Sequence, residues 1–252
     1  MNLRYSPLKR FAKKIYRQFF PIPKSPYTVG AVEDICAVNL VPPAALDEFF
    51  EHAITLLQKE KGNDIGDYLE FGVFNGTSLM SMQRSCTKHG VESTRFIGFD
   101  SFEGLPAGAT AEDDGVWSKG MYSCSFDDLQ GCLQRGGVAL EDVTFVKGWY
   151  NETLNQETRE KLHLQNISII FIDCDTYSSS KAVLDFIEPL LNQPLILCFD
   201  DWELNDLDVK GMGEYKSFNE FLDRHPELQL EEIKSYNRKS RSFLVKGEKH
   251  VT

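Results

Sequence analysis

Two acidic pairs stand directly after two apolar runs of the sequence. The run IIFI ends at Asp173, with Asp175 two residues later, and the run LILCF ends at Asp200 and Asp201. If both runs are neighbouring strands, Asp173, Asp200 and Asp201 converge and repel one another unless a cation compensates their charge. Carboxylate oxygens suit a hard divalent cation, so we predict a Mg²⁺ site, with Mn²⁺ as the alternative.

The four acids also have simpler interpretations. Asp173 or Asp201 alone could cap a helix, although capping explains the whole set poorly. Asp175 could act as a general base beside the metal, hold a substrate hydroxyl, or cap the helix that follows. We take Asp173 and Asp175 as the candidate catalytic bases, because none of the five histidines follows a predicted strand.

A turn containing two glycines follows the first apolar run, in the sequence E-F-G-V-F-N-G-T-S that begins at Glu70. Gly72 permits a tight turn, and Gly76 permits close approach of the backbone to a ligand. Thr77 or Ser78 could cap the next helix, whose first amides would then face a carboxylate or phosphate. The turn lacks the third glycine of the dinucleotide motif G-x-G-x-x-G.

Asp100 ends the second apolar run, 24 residues after Gly76. An acid in this place accepts the ribose hydroxyls of an adenosine-type cofactor. Helix capping is the structural alternative for Asp100, but the glycine turn upstream favours ribose binding.

Apolar runs alternate with helical segments along the chain. We predict strands over 67–73, 95–100, 143–148, 167–173 and 195–200. We predict helices over 43–60, 77–88, 126–135, 153–162 and 178–191. Two further strands, with a turn near Asn237, would form an antiparallel edge. This alternation indicates an α/β fold, a doubly wound, mostly parallel seven-stranded Rossmann-like sheet with an antiparallel edge strand.

Residues 1–24 differ from the rest of the chain. They hold seven cations and no acid, so the remainder carries −18, given a net charge of −11. An acidic body argues against a nucleic acid as the main partner. Apolar residues recur at helical spacing from Leu8 to Phe19, with cations on the other face. This basic amphipathic helix could bind a membrane surface, but we favour packing on its own domain or on a dimer mate, and we expect a homo-oligomer.

Residues 25–252 are predicted to form one domain, since no repeat or linker interrupts them. Its long glycine-rich loop, at about 104–125, is typical of a lid that closes over ligands. The six cysteines lack C-x-x-C spacing, and neither a secretory signal nor a membrane span is evident. We therefore expect reduced thiols, no disulfide framework, no zinc site and a cytoplasmic location.

Five motifs together resemble the macrocin O-methyltransferase (TylF-type) family. They are E-F-G-V-F-N-G-T-S, G-F-D-S-F-E-G-L-P, K-G-W-Y-N-E-T-L, D-C-D-T-Y-S-S-S and F-D-D-W, and the resemblance runs from about 67 to 222. It implies a class I methyltransferase that uses S-adenosylmethionine and Mg²⁺ to methylate a sugar hydroxyl of a natural product. The family more often has D-G-D-L-Y where this chain has D-C-D-T-Y, and the basic head has no counterpart there, so the acceptor is not carried over.

The resemblance also implies roles for residues at the strand ends. The methionine end of the cofactor would be lined by Glu70, Gly72 and Gly76. Its ribose would be bound by Asp100 with Ser101 beside it, and its adenine would lie near Gly148 and Trp149. The metal would be held by the three acids already identified from charge. In the loop, the matching residues are Asp114, Trp117 and Gly120.

We therefore expect an S-adenosylmethionine- and Mg²⁺-dependent O-methyltransferase that acts on a hydroxyl of a small molecule. A vicinal diol of a sugar or natural-product glycoside is the leading acceptor, and a catechol or another polyol is the runner-up. An NAD-dependent enzyme is disfavoured, because the third glycine is missing and the acids would repel a pyrophosphate. A non-catalytic module that keeps the cofactor pocket would not need three converging carboxylates.

Overall fold

A seven-stranded sheet forms the centre of the described residues, 7–19 and 34–246, in this computed structural model. Its strands are β1 (Asp67–Phe71), β2 (Phe96–Asp100), β3 (Val143–Lys147), β4 (Ile167–Ile172), β5 (Pro194–Phe199), β6 (Leu230–Ile233) and β7 (Arg241–Lys246). The order across the sheet is β3-β2-β1-β4-β5-β7-β6. Strands β1 to β5 run parallel, whereas β7 runs antiparallel to both of its neighbours. The predicted fold class is confirmed, and the reversed strand lies one place inside the edge.

The helices of the described residues include those predicted over 43–60, 77–88, 126–135 and 178–191, together with helices over 207–210 and 213–224 that were not predicted. They are α1 (Pro7–Phe19), α2 (Pro43–Lys61), α3 (Thr77–Lys88), α4 (Phe126–Arg135), α5 (Tyr150–Thr153), α6 (Gln156–Lys161), α7 (Tyr177–Ile187), α8 (Leu207–Lys210) and α9 (Gly213–Arg224). The single helix predicted over 153–162 is two helices, because the Asn155 side chain accepts from the Thr158 backbone N–H at 2.9 Å and caps α6. Helix α7 ends before Pro189, which cannot donate the next backbone hydrogen bond.

Helices cover both faces of the sheet. Alternate strand residues such as Tyr68 and Phe171 pack against α2, α3 and α4, while Leu69 and Ile170 pack against α7 and α9. Every residue of β1 and β4 is buried. Burial on both faces explains why these strands are nearly continuous apolar runs rather than alternating ones.

The strand order reverses between β1 and β4. From β1 the chain passes to β2 on one side, and β4 lies on the other side. Ligands of open α/β sheets bind beyond the carboxyl ends of the strands at such a switch point. Asp100, Asp173 and Asp200 end or directly follow β2, β4 and β5, so the fold sets all three at this edge.

The prediction of reduced cysteines is wrong for one pair. Cys36 and Cys132 form a disulfide that joins the segment before α2 to α4, across 96 residues of sequence. The remaining cysteines are free and buried; they are Cys86, Cys124, Cys174 and Cys198. The spacing of the joined pair carries no signal, because the two residues meet only once α4 packs beside the segment that precedes α2.

Helix α1 attaches to the domain through its cations. Lys13 Nζ lies 2.7 Å from Glu203 and 2.5 Å from Asp208. Arg17 is buried and pairs with Glu203 and with Asp206. These acids lie at the end of the segment that follows β5 and on α8, so the basic face of α1 docks on an acidic surface of the same chain.

The apolar face of α1 points away from this contact. Phe11 is 62% exposed and Phe19 73% exposed, and Ile15 and Tyr16 are exposed as well. The helix does pack on its own domain, but through its basic face instead of its apolar face, since electrostatic pairing of the basic face sets the orientation. Residues 1–6 and 20–24 of the predicted basic head lie outside the described residues. No helix of the described ranges has the length and apolar character needed to cross a bilayer.

Candidate functional site

A cavity of about 330 Å³ opens at the carboxyl ends of the strands, beside the switch point. Most of the predicted site residues line it: Gly72, Thr77, Ser78, Asp100, Ser101, Gly148, Trp149, Asp173, Asp175, Asp200 and Asp201. Glu70 and Gly76 lie outside its lining. The fold therefore brings the candidate cofactor residues and the acidic residues into one space.

Asp173, Asp200 and Asp201 come together as the acidic pattern predicts. The pairing of Ile172 with Phe199 sets the ends of β4 and β5 side by side, and one oxygen from each acid lies within 4.8 Å of the others. Burial, followed by the charges of Asp200 and Asp201, raises the pKa of Asp173 well above its usual range. Three converging carboxylate oxygens fit the donor set of a divalent cation such as Mg²⁺.

Lys239 and Tyr236, from the turn before β7, also reach these acids. The Lys239 ammonium lies 2.6 Å from Asp200 Oδ2 and 3.2 Å from Asp201 Oδ1. The Tyr236 hydroxyl donates to Asp200 Oδ1 at 2.6 Å. Burial lowers the pKa of Lys239, but the surrounding carboxylates outweigh burial and hold it well above its usual range. Sequence reasoning missed both residues, because no motif marks a turn so far along the chain.

Asp175 lies beside the three acids with its backbone in the left-handed region, at φ 64°. A non-glycine residue there carries a conformational cost that often marks a functional position. Asp175 does not cap α7, because the Thr176 side chain accepts from the Ser179 backbone N–H instead. Burial first, and then the charges of Asp201 and Asp173, raise the pKa of Asp175 well above its usual range. A side-chain hydrogen bond with Asp201 adds to this upward shift in the pKa of Asp175.

Gly72 marks a close approach of two chain segments at the cavity. Its φ is 91°, and a Cβ atom at this position would lie 1.8 Å from the carbonyl oxygen of Asp173. Glycine alone lets the chain turn out of β1 at this distance from the residue that ends β4. Gly72 thus makes the tight turn expected of it, whereas Gly76, for which we expected close approach to a ligand, lies outside the cavity lining.

Asp100 organises the glycine turn as well as lining the cavity. Its Oδ2 accepts from the backbone N–H groups of Val73 and Phe74, at 2.7 and 3.2 Å. Its Oδ1 accepts from the Phe102 backbone N–H at 2.7 Å. The Ser101 backbone N–H is a further donor to this carboxylate. Burial raises the pKa of Asp100 against the opposing effect of these backbone donors.

Glu70 is a buried support behind the cavity wall. Its carboxyl accepts from the Tyr68 hydroxyl at 2.9 Å and from the Ser78 hydroxyl. Burial raises the pKa of Glu70 to about 8. Helix α3 begins after Gly76, at φ 79°, and has no side-chain cap, so neither Thr77 nor Ser78 caps it. The first turn of α3 is therefore left open toward the cavity that both residues line.

The predicted lid, 104–125, is tied down at its middle. Asp113, rather than the neighbouring Asp114, makes the contacts: its two oxygens accept from the backbone N–H groups of Tyr177 and Gly213, each at 2.8 Å. Trp117 is buried, and its Nε1 donates to Asp113 at 3.3 Å. Both stems of the loop contribute to the cavity lining. Movement of this loop stays a prediction.

The comparison with protein families gives one match that covers most of the chain. The family model described as Macrocin-O-methyltransferase (TylF) matches residues 36–229. The 8-demethyl-8-(2,3-dimethoxy-alpha-L-rhamnosyl)-tetracenomycin-C 4'-O-methyltransferase of Streptomyces olivaceus is 27% identical over 146 residues, 56% of this chain and 54% of that protein. The mycinamicin III 3''-O-methyltransferase of Micromonospora griseorubida is 25% identical over 146 residues, 54% of this chain and 55% of that protein. The chain spans about half the length of these relatives.

Solved structures share the fold at low sequence identity. The O-methyltransferase NovP superposes with a TM-score of 0.61 at 19% identity, over 82% of this chain and 79% of that one. The calicheamicin methyltransferase CalS11 gives a TM-score of 0.57 at 20% identity, over 97% and 95%. These likenesses establish the architecture around the cavity.

Proposed function

This chain belongs to the macrocin O-methyltransferase (TylF) family, and from that premise we propose that it is an S-adenosylmethionine- and Mg²⁺-dependent O-methyltransferase. Its acceptor is a hydroxyl of a small molecule, a sugar or natural-product glycoside with a vicinal diol. One observation carries this proposal. The three carboxylates of Asp173, Asp200 and Asp201 converge in the same cavity that Gly72 and Asp100 line.

The cofactor would lie across the ends of β1 and β2. The open first turn of α3 and the Gly72 backbone suit the charged methionine end. Asp100, which lines the cavity, would bind a ribose hydroxyl, with Ser101 beside it. Gly148 and Trp149 line the part of the cavity next to β3, where an adenine ring would pack against the indole.

Asp173, Asp200 and Asp201 would hold the metal, Mg²⁺ or alternatively Mn²⁺. When bound, such an ion lowers the pKa of a hydroxyl that coordinates it and fixes that hydroxyl in position. Asp175 or Asp173 would take the proton of the acceptor hydroxyl, and Asp175 is favoured because it stands outside the three ligands. The protein would then accelerate methyl transfer mainly by positioning the acceptor against the cofactor, since the methyl group of the cofactor is already activated.

The choice of a sugar acceptor is supported by the relatives. One of them is named for a 4'-O-methylation of a rhamnosyl-bearing tetracenomycin. A catechol or other polyol is the runner-up, because it also offers two neighbouring oxygens. A panel of rhamnosides and catechols separates the two acceptors.

Two measurements test the proposal. S-adenosylhomocysteine should bind in calorimetry with Mg²⁺ and with EDTA, and absence of binding in both would overturn the methyltransferase function.

Transfer of a labelled methyl group to a rhamnoside should require Mg²⁺. Asp201→Asn should lower kcat by about a hundredfold or more, whereas Asp142→Asn, an exposed acid outside the cavity lining, should leave kcat unchanged. Transfer that survives EDTA would remove the metal from the proposal.

We also propose that the protein forms a homo-oligomer. The exposed apolar face of α1 is the surface on which a second copy of the chain would pack. Two cations of α1, Lys13 and Arg17, are paired within the chain, and the acidic body would be repelled by an anionic membrane. Two copies of the exposed face around Phe11 and Phe19 could cover each other about a twofold axis. Light scattering should show a dimer that Phe19→Glu dissociates and Gln18→Glu does not. A monomeric wild type, or binding of α1 to neutral lipid vesicles instead, would contradict the proposal that a second copy is the partner.

A cytoplasmic location remains a prediction.

A further inference from the structure

The Lys239 ammonium lies beside the converging carboxylates and partly compensates their negative charge. It contacts Asp200 Oδ2 at 2.6 Å and Asp201 Oδ1 at 3.2 Å, and these are two of the three acids that converge. The Lys239 side chain is 20% exposed, so solvent screens this pairing only in part. Within the described residues, no other ammonium or guanidinium is recorded in an ion pair with these three acids.

The backbone of the turn holds Lys239 in this place. Its N–H donates to Asn237 Oδ1 at 2.8 Å, and its carbonyl accepts from the Glu203 N–H at 2.8 Å. The Ser240 N–H donates to the same Asn237 oxygen at 2.8 Å. The turn is therefore anchored on both sides of Lys239, and the ammonium is directed at the acids by the fold.

The ammonium contacts two of the three acids that the proposed ion would need. Asp200 Oδ1 accepts from the Tyr236 hydroxyl, and Asp200 Oδ2 accepts from Lys239, so both oxygens already have a donor. A divalent cation at Asp200 would therefore meet the Tyr236 hydroxyl at Oδ1 or the Lys239 ammonium at Oδ2, and at either oxygen it would be repelled by the ammonium nearby.

We propose that Lys239 is a built-in counter-ion that competes with the divalent cation for Asp200 and Asp201, and thereby sets the metal affinity of the site. This inference rests on the proposed metal-dependent function. Lys239 stabilises the acids when they hold no ion, and its flexible four-carbon stem lets the ammonium withdraw while the backbone turn stays in place. Lys239 acts on the metal ligands and is therefore a positioning residue.

Calorimetric titration of Mn²⁺ alone into the wild type and into Lys239→Met tests the competition. The variant should bind Mn²⁺ about tenfold more tightly or better, because the ion no longer competes with a positive charge. Arg238→Met is the matched control, since it removes an exposed cation from the same turn, and it should bind Mn²⁺ as the wild type does. In EDTA, Lys239→Met should melt at a lower temperature than the wild type, and Mn²⁺ should raise its Tm by more.

Equal or weaker Mn²⁺ binding by Lys239→Met, with the wild type binding normally, would overturn the inference and leave the metal-dependent function standing. No Mn²⁺ binding by any variant would overturn both. Binding by the variant alone would support the competition in its strongest form. If circular dichroism shows Lys239→Met to be unfolded, Lys239→Gln replaces it, because its amide can still donate to Asp200 without a charge.

Discussion

The Tyr177 backbone N–H, at the start of α7, donates to Asp113 Oδ2 at 2.8 Å, and this bond joins the long loop to the helix that follows Asp175. The other oxygen of Asp113 accepts from the Gly213 N–H at the start of α9. One carboxylate thus accepts from the first residues of two helices, where a negative charge is stabilised. Asp113 is thus the most buried polar tie of the loop over the cavity, beside the exposed contact of Glu112 with the Ser178 N–H at 2.8 Å.

Asp113→Asn should loosen this loop, because its amide group would face a backbone N–H donor. We expect a loss of about 1–3 kcal/mol in local stability and faster proteolysis within 104–125, with weaker binding of S-adenosylhomocysteine. Asp114→Asn is the control, since Asp114 is exposed and pairs only with Lys210 among the bonds described. Equal proteolysis of the two variants would show that Asp113 does not hold the loop.

Arg17→Ala should destabilise the protein, because it leaves the buried carboxylate of Glu203 with less compensation. Glu203 keeps Lys13 and Arg241 as partners, so the loss should be about 2–3 kcal/mol, below that of a fully uncompensated buried charge. Urea unfolding of the variant and of Lys14→Ala, an exposed cation of the same helix, measures the difference. A loss no larger than that of Lys14→Ala would mean that the docking of α1 adds nothing to stability.

The disulfide between Cys36 and Cys132 should stabilise the fold by about 4 kcal/mol, because it restrains a long loop of the unfolded chain. The disulfide also holds the segment before α2, whose Val38 carbonyl accepts from the Asn75 side chain at 2.7 Å. Reduction should therefore lower Tm in the wild type and leave the Cys36→Ser/Cys132→Ser double variant unaffected. Alkylation of six thiols in the unreduced, denatured protein would exclude the bond.

Glu70 should make the protein less stable as pH rises. Its pKa is about 8 in the folded protein, against an ordinary value of 4.5, because burial disfavours the charged form. Its contribution is therefore fully present below pH 4.5 and is lost as pH rises through 8. Glu70→Gln should be more stable than the wild type by on the order of 3 kcal/mol at high pH, and the difference should shrink toward pH 5. Urea unfolding at several pH values measures it, with Glu141→Gln, an exposed acid, as the control; a difference independent of pH would count against a charged Glu70.

Sequence reasoning succeeded where local pattern and strand position decide the outcome. The ends of β4 and β5 were predictable because buried parallel strands are apolar runs, and the polar residue that ends such a run lies at the ligand edge. Asp173 and Asp200 therefore lie close together at this edge of the sheet, as the sequence predicts. Gly72 and Asp100 were found in the same way, from the turn after β1 and the end of β2.

The features that sequence reasoning missed depend on contacts between distant segments. Lys239 reaches Asp200 across 39 residues, and Cys36 meets Cys132 across 96. The orientation of α1 was missed for a different reason. Amphipathic periodicity identifies two faces, but it does not say whether the apolar face or the basic face is the one that the domain attracts.

The docking of α1 on Glu203 and Asp208 has a consequence for the order in which the chain acquires its structure. Lys13 and Glu203 are separated by 190 residues, and Glu203 also pairs with Arg241 of the last strand. Helix α1 is therefore synthesised well before the acids on which it docks, and contacts of such sequence separation form slowly. Ribosome-bound chains that stop before residue 200 should leave α1 open to protease and chaperones, while full-length chains should protect it.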